Sequence, residues 1–192
     1  MSKITKKEIF TIPNIICYCR ILIIPVFMYI YLTASGPRDY TLAAIIVLIS
    51  SISDLFDGMI ARKFNQVTKL GKILDPVADK LNHFAILICL AIRYPFLWAV
   101  IVLMIIKEGY MLYNGIYFLK GGEMIDGAMW YGKICTAVSF ISLFALFLIY
   151  DMPLVYVKAI AILMSVTMIF ALVMYIDLYT KMRKALKEEN HA

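Results

Sequence analysis

Apolar residues run through this chain in stretches too long for the core of a water-soluble domain. Six stretches fit, at roughly 12–33, 40–62, 70–93, 95–119, 130–150 and 153–179. About 20 apolar residues at 1.5 Å each cross the roughly 30 Å of hydrocarbon in a bilayer. At 63% hydrophobic residues and a mean hydropathy of +0.85, the 192-residue chain carries far more apolar surface than a soluble domain of its size needs. The expected fold is all-α: an integral membrane bundle of six transmembrane helices, forming a single domain over residues 1–192. The breaks are short and rich in helix-ending residues: Gly36-Pro37-Arg38, Asn65-Gln66-Val67-Thr68, Tyr94-Pro95, Gly121-Gly122 and Asp151-Met152-Pro153. Short links imply antiparallel neighbours.

The net charge of +6 would suggest nucleic acid in a soluble protein. Here the basic residues flank the apolar stretches, and no aromatics alternate with them as in a recognition module. Anionic membrane lipids are the expected partner instead, and nucleic acid is not. Lys3, Lys6, Lys7, Arg62, Lys63, Lys69, Lys72, Lys120, Lys181, Arg183, Lys184 and Lys187 fall on one side, against Arg38, Arg93 and Lys158 on the other. The positive-inside rule then places both termini in the cytosol of a multi-pass protein of the cytoplasmic membrane. The basic start resembles a signal peptide, but the run from Ile12 to Thr33 is too long for one and reads as a retained span. The tail Lys181–Ala192 reads as a short charged helix end at the membrane surface, without a catalytic role. Cys17, Cys19, Cys89 and Cys135 form no CxxC and read as small core residues. Tyr29, Tyr31, Tyr94, Trp98 and Tyr150 suit an outer interfacial belt, and Trp130 and Tyr131 an inner one.

Four aspartates interrupt this pattern at helical spacing. Asp54 and Asp57 are i,i+3 near the end of the second stretch; Asp75 and Asp79 are i,i+4 near the start of the third. Each pair shares a helix face, and an antiparallel turn brings all four together just inside the cytosolic interface. An Asp at the bilayer centre costs about 2.5–3.5 kcal/mol, and four clustered carboxylates repel one another. Two divalent cations, Mg²⁺ or Mn²⁺, would offset the charge, and paired metals are a recurrent device for displacement at phosphorus. Gly58, Ala61 and Gly71 remove side-chain bulk, so a ligand can approach the backbone. Arg62 can grip pyrophosphate oxygens as a fork, and Thr68 can donate a hydroxyl. The bland alternative is that these aspartates cap helices or pair with Arg62, Lys69, Lys72 and Lys80.

The pattern D-x2-D-G-x2-A-R-x8-G-x3-D-x3-D is complete from Asp54 to Asp79. It resembles the signature of the CDP-alcohol phosphatidyltransferases, and the likeness extends to the Ile12-Pro13-Asn14-Ile15-Ile16 opening and to Gly132-Lys133-Ile134. The resemblance implies a membrane enzyme that displaces CMP from a CDP-linked lipid, CDP-diacylglycerol, by attack of an acceptor hydroxyl. It implies that Asp54, Asp57 and Asp75 bind two metal ions, and that Asp79 completes the second site and serves as general base. Gly58, Arg62, Thr68 and Gly71 would hold the CDP group. Asn14 falls in the cytidine-contact segment, where relatives usually have Thr at the position of Cys17. A homodimer is an open option for this family.

Among members of the family the chain looks most like those that use sn-glycerol 3-phosphate to make phosphatidylglycerol phosphate. Those commonly carry Gly-Lys-x-Lys-Thr on the fifth helix and Arg-Glu on the fourth. This chain has Gly132-Lys133-Ile134-Cys135-Thr136 and Lys107-Glu108, so Lys133 and Lys107 are the acceptor-binding candidates. The single lysine also resembles the family's cardiolipin synthases, whose acceptor is phosphatidylglycerol. Snorkelling to lipid headgroups is the bland reading of Lys133, and a buried pair is that of Lys107–Glu108. His83, one turn beyond Asp79, reads as a core histidine or as support for the metal site. A divalent-cation transporter would instead need polar groups along a whole path, and the outer halves of the second and third stretches are apolar. A lapsed lipid-binding scaffold would show a broken motif.

Overall fold

The computed structural model describes residues 11–63, 71–120 and 129–189; of residues 12, 13, 54–63, 72, 73, 119, 120 and 187–189 it describes the backbone alone. The described residues form six α-helices: α1 (Ile12–Leu32), α2 (Pro37–Lys63), α3 (Gly71–Arg93), α4 (Trp98–Lys120), α5 (Trp130–Leu148) and α6 (Leu154–Glu189). Among the described residues there is no strand. The boundaries follow the punctuation in the sequence. Pro13 sits in the first turn of α1, where its missing N–H is no loss. Pro37 opens α2, and the Ser35 N–H donates to the Asp39 carboxylate at 2.8 Å, tying the start of the helix. A 3₁₀ turn, Pro95–Leu97, joins α3 to α4. The expected breaks at 65–68 and at Gly121-Gly122 lie outside the described residues.

Six helices were expected, all crossing the membrane. Four described stretches are long and apolar enough to do so: Asn14–Leu32, Pro95–Phe118, Trp130–Leu148 and Leu154–Leu186. In α3 the charges of Asp75, Asp79, Lys80 and Arg93 leave too short an apolar run. In α2 the run stops at the aspartates, whose side chains are not described.

The chain packs as two compact units. The first comprises residues up to Arg93 with 143–151; the second comprises 94–142 with 152–192. In the first, α1 lies against α2 and α3. Small residues of α2, Ala43, Ala44 and Val47, and the α3 residues Ala85 to Ala91 allow close approach. One end is closed by aromatic rings. Tyr31 stacks on Phe147 at 4.4 Å and Tyr40 on Tyr150 at 5.2 Å, and the Arg93 guanidinium lies over Tyr40 and Tyr150 at 5.2 and 5.6 Å. Tyr31 is therefore a core residue and not part of an outer belt; Tyr29 and Trp98 are exposed.

In the second unit α4 packs on α6 around Phe118, Tyr131, Tyr175 and Tyr179. Tyr131 is buried there, so only Trp130 of the expected inner pair is exposed. The tail is a charged helix end, as the sequence predicts, as far as Glu189. α6 runs unbroken for 36 residues, and Arg183 in it donates to Asn114 Oδ1 at 2.6 Å and lies over the Tyr117 ring at 5.1 Å.

Candidate functional site

The polar face of α1 organises the first unit's site. Asn14, Cys17 and Arg20 recur every three residues and are all buried. Opposite them, α3 presents Asp75 and Asp79 one turn apart. The Cys17 side chain hydrogen-bonds to Asp75. Arg20 Nη2 donates to Asp79 Oδ1 at 2.5 Å. Arg20 is 4% exposed and the Asp79 side chain 46%, so the pair joins a buried cation to a carboxylate that solvent can reach. Gly71 is buried at the start of α3. Asn82, one turn beyond Asp79, is buried with an Oδ1 that accepts no hydrogen bond among the described residues. His83 is partly buried and engaged in contacts of its own.

Of the other expected residues, Asp54, Asp57, Gly58 and Arg62 lie on the last turns of α2, with side chains outside the described set. Thr68 lies outside the described residues altogether. Among the described residues no three His, Cys, Asp or Glu side chains converge. The fit of a divalent ion is therefore judged on Asp75 and Asp79. Asp75 Oδ1 is buried and accepts no hydrogen bond among the described residues, which a hard cation would satisfy. Two carboxylates one turn apart are suitable oxygen donors.

Arg20 is the site residue that motif reading passed over. The signal was present: an arginine inside an apolar span is as costly as an aspartate, and needs a partner. The sequence places it three residues after Cys17, itself three after Asn14, so each lies about one turn from the next.

The acceptor candidates belong to the second unit. Lys107 is buried and its Nζ donates to Glu108 Oε1 at 2.7 Å, as the paired reading of these two residues expects. Lys133 is exposed at the start of α5. The glycine before it has a structural explanation. A Cβ at Gly132 would run into the Tyr175 hydroxyl of α6, so only glycine fits beneath that ring without a shift.

Comparison with known proteins identifies a family along most of the chain. The family model described as CDP-alcohol phosphatidyltransferase matches residues 10–177. The CDP-diacylglycerol–glycerol-3-phosphate 3-phosphatidyltransferase of Bacillus subtilis is 34% identical over 194 residues, covering 94% of this chain and 100% of that protein. An Aquifex aeolicus protein of the same name is 28% identical, over 93% of this chain and 99% of its own length. A CMP-forming cardiolipin synthase of Streptomyces coelicolor is 34% identical over 106 residues, 54% of this chain and 49% of that protein.

Proposed function

Since the chain belongs to the CDP-alcohol phosphatidyltransferase family, we propose that it transfers the phosphatidyl group of CDP-diacylglycerol to sn-glycerol 3-phosphate, releasing CMP and phosphatidylglycerol phosphate. The observation that carries this is the unbroken eight-position motif from Asp54 to Asp79 in a chain that aligns along nearly its whole length with a bacterial enzyme of that name. α2 and α3 are read as crossing the membrane beside the four apolar helices, with their aspartate ends at the cytosolic face. The chain works as one domain, and a homodimer is the assembly carried over from the family.

Asp54, Asp57, Asp75 and Asp79 would hold two divalent ions, Mg²⁺ or Mn²⁺, which supply charge to the pyrophosphate and to CMP as it leaves. Asn14, Gly58, Arg62, Thr68 and Gly71 hold the CDP group. Lys107 and Lys133 hold the acceptor's phosphate. Asp79 takes the proton of the attacking hydroxyl as its oxygen bonds to the phosphatidyl phosphorus and the bond to CMP breaks. Proton transfer of this kind is typically worth about 10²–10⁴-fold. Placement at the cytosolic face lets the nucleotide leave into water while acyl chains stay in lipid.

A second reading, cardiolipin synthesis with phosphatidylglycerol as acceptor, is favoured by one observation. The fifth-helix segment Gly132-Lys133-Ile134-Cys135-Thr136 has a single lysine. The test is CMP release by purified protein with CDP-diacylglycerol and Mg²⁺, supplied in parallel with glycerol 3-phosphate, phosphatidylglycerol, serine and inositol phosphate. Release with glycerol 3-phosphate, lost in Asp79→Asn by at least about 100-fold, is the expected result. Release with phosphatidylglycerol alone selects the second reading. Silence with every acceptor refutes the enzyme and returns attention to cation transport.

A further inference from the structure

Arg20 lies in the apolar interior of α1, 4% exposed. A guanidinium at such a position is strongly unfavourable unless a carboxylate answers it. Among the described residues Asp79 answers it, accepting through Oδ1 at 2.5 Å. That leaves the second oxygen on a side chain 46% exposed. One buried cation thus holds an α3 carboxylate by a directional bond.

We propose that Arg20 is the positioning residue for Asp79. Its bond to Oδ1 fixes the carboxylate's rotamer and leaves Oδ2 for the metal and for the acceptor's proton. Its fixed charge also limits how tightly a divalent ion binds beside it. This rests on the reading of Asp79 as base and metal ligand. Two effects of opposite sign follow. Removing the guanidinium lets the carboxylate wander, and a misplacement of about 1 Å costs roughly 100-fold in turnover. It also removes a unit charge near the divalent site. At roughly 6 Å and the dielectric of water, that repulsion is worth about tenfold in cation affinity at low salt.

The experiment compares wild type, Arg20→Gln and Arg20→Lys, purified in detergent. Mn²⁺ binding is measured by electron paramagnetic resonance without any lipid substrate. CMP release then gives kcat and the KM for CDP-diacylglycerol at saturating Mg²⁺. Arg20→Gln is expected to bind Mn²⁺ about tenfold more tightly, yet to turn over about 100-fold more slowly at unchanged KM. Arg20→Lys keeps the charge but loses the planar fork. It should bind Mn²⁺ like wild type and recover about tenfold of the lost kcat. A counter-ion with a merely structural role would not tighten metal binding while slowing turnover. Unchanged or weaker Mn²⁺ binding in Arg20→Gln overturns the proposal, as does equal kcat in the two variants. If Arg20→Gln does not survive purification, Arg20→Lys decides, and wild-type kcat there overturns it. If the wild type releases no CMP with any acceptor, the transferase reading fails separately; the Mn²⁺ comparison still decides whether Arg20 governs the cation site.

Discussion

Gly132 offers a prediction whose size can be worked from packing. A Cβ there would meet the Tyr175 hydroxyl, with Cζ at 3.2 Å and Cε2 at 3.4 Å. Tyr175 has little freedom to retreat. It is buried, with Tyr131 edge-on at 4.7 Å and Tyr179 at 6.0 Å. Overpacking of this kind costs about 1–3 kcal/mol. Against it stands the helical preference of Ala over Gly, about 1 kcal/mol in the interior of a helix. The single substitution Gly132→Ala should therefore destabilise by only about 0–2 kcal/mol, which is a weak test alone. A double-mutant cycle separates the terms. The propensity gain is the same with or without the hydroxyl, so it cancels. Tyr175→Phe removes the atom in collision and leaves Cζ at a distance that needs only a few tenths of an ångström of relief. The expected coupling is at least about 1 kcal/mol, with Gly132→Ala better tolerated beside Tyr175→Phe than alone. For a chain of 150–250 residues that is roughly 2–4 °C of melting temperature. Melting of the four proteins in one detergent measures it. Strictly additive shifts would refute the claim that the Tyr175 hydroxyl excludes a side chain at Gly132.

Four further outcomes are expected. Asn114→Ala removes the acceptor of a hydrogen bond from a charged group and should destabilise by about 1.5–3 kcal/mol; Arg183→Lys should not preserve stability, because a lysine neither forks nor stacks on Tyr117 in the same way, and melting curves check both. Cys17→Thr keeps a donor facing Asp75 and should stay within about threefold of wild-type CMP release, whereas Cys17→Ala, which leaves Asp75 without it, should fall by about tenfold. Lys133→Ala should raise the KM for glycerol 3-phosphate and leave that for CDP-diacylglycerol unchanged; equal effects on both would remove Lys133 from the acceptor site.

Much of this architecture was readable from local pattern. Apolar length marks helices, and Pro13, Pro37, Gly71 and Pro95 mark where they begin, because each effect acts within a turn or two. The aspartate motif was readable for the same reason: its members are close in sequence, so helical spacing alone sorts them onto faces. Contacts between distant segments were not. Arg20 and Asp79 are 59 positions apart, and nothing in the first helix says which neighbour its arginine will face. Tyr31 and Tyr131 are buried instead of interfacial because a tyrosine is amphipathic, and suits a buried stack as well as an interface. Gly132 was read as part of a phosphate pattern. Its steric reason is a ring on α6 that the sequence cannot bring beside it. The basic tail is readable as a helix end, and α6 carries it without a break as far as Glu189.

That continuity has a mechanical side. α6 is 36 residues long, about 54 Å, against roughly 30 Å of hydrocarbon. From Leu154 to Glu189 it contains neither Gly nor Pro, the usual places where a helix bends. The span and its charged end are therefore one lever without a hinge. Thicker or thinner bilayers re-tilt spans, and a re-tilted α6 carries its far end with it. The Arg183 bond to Asn114 and the packing of Phe118 on Tyr179 tie that lever to α4, so a change of tilt is passed to both helices together.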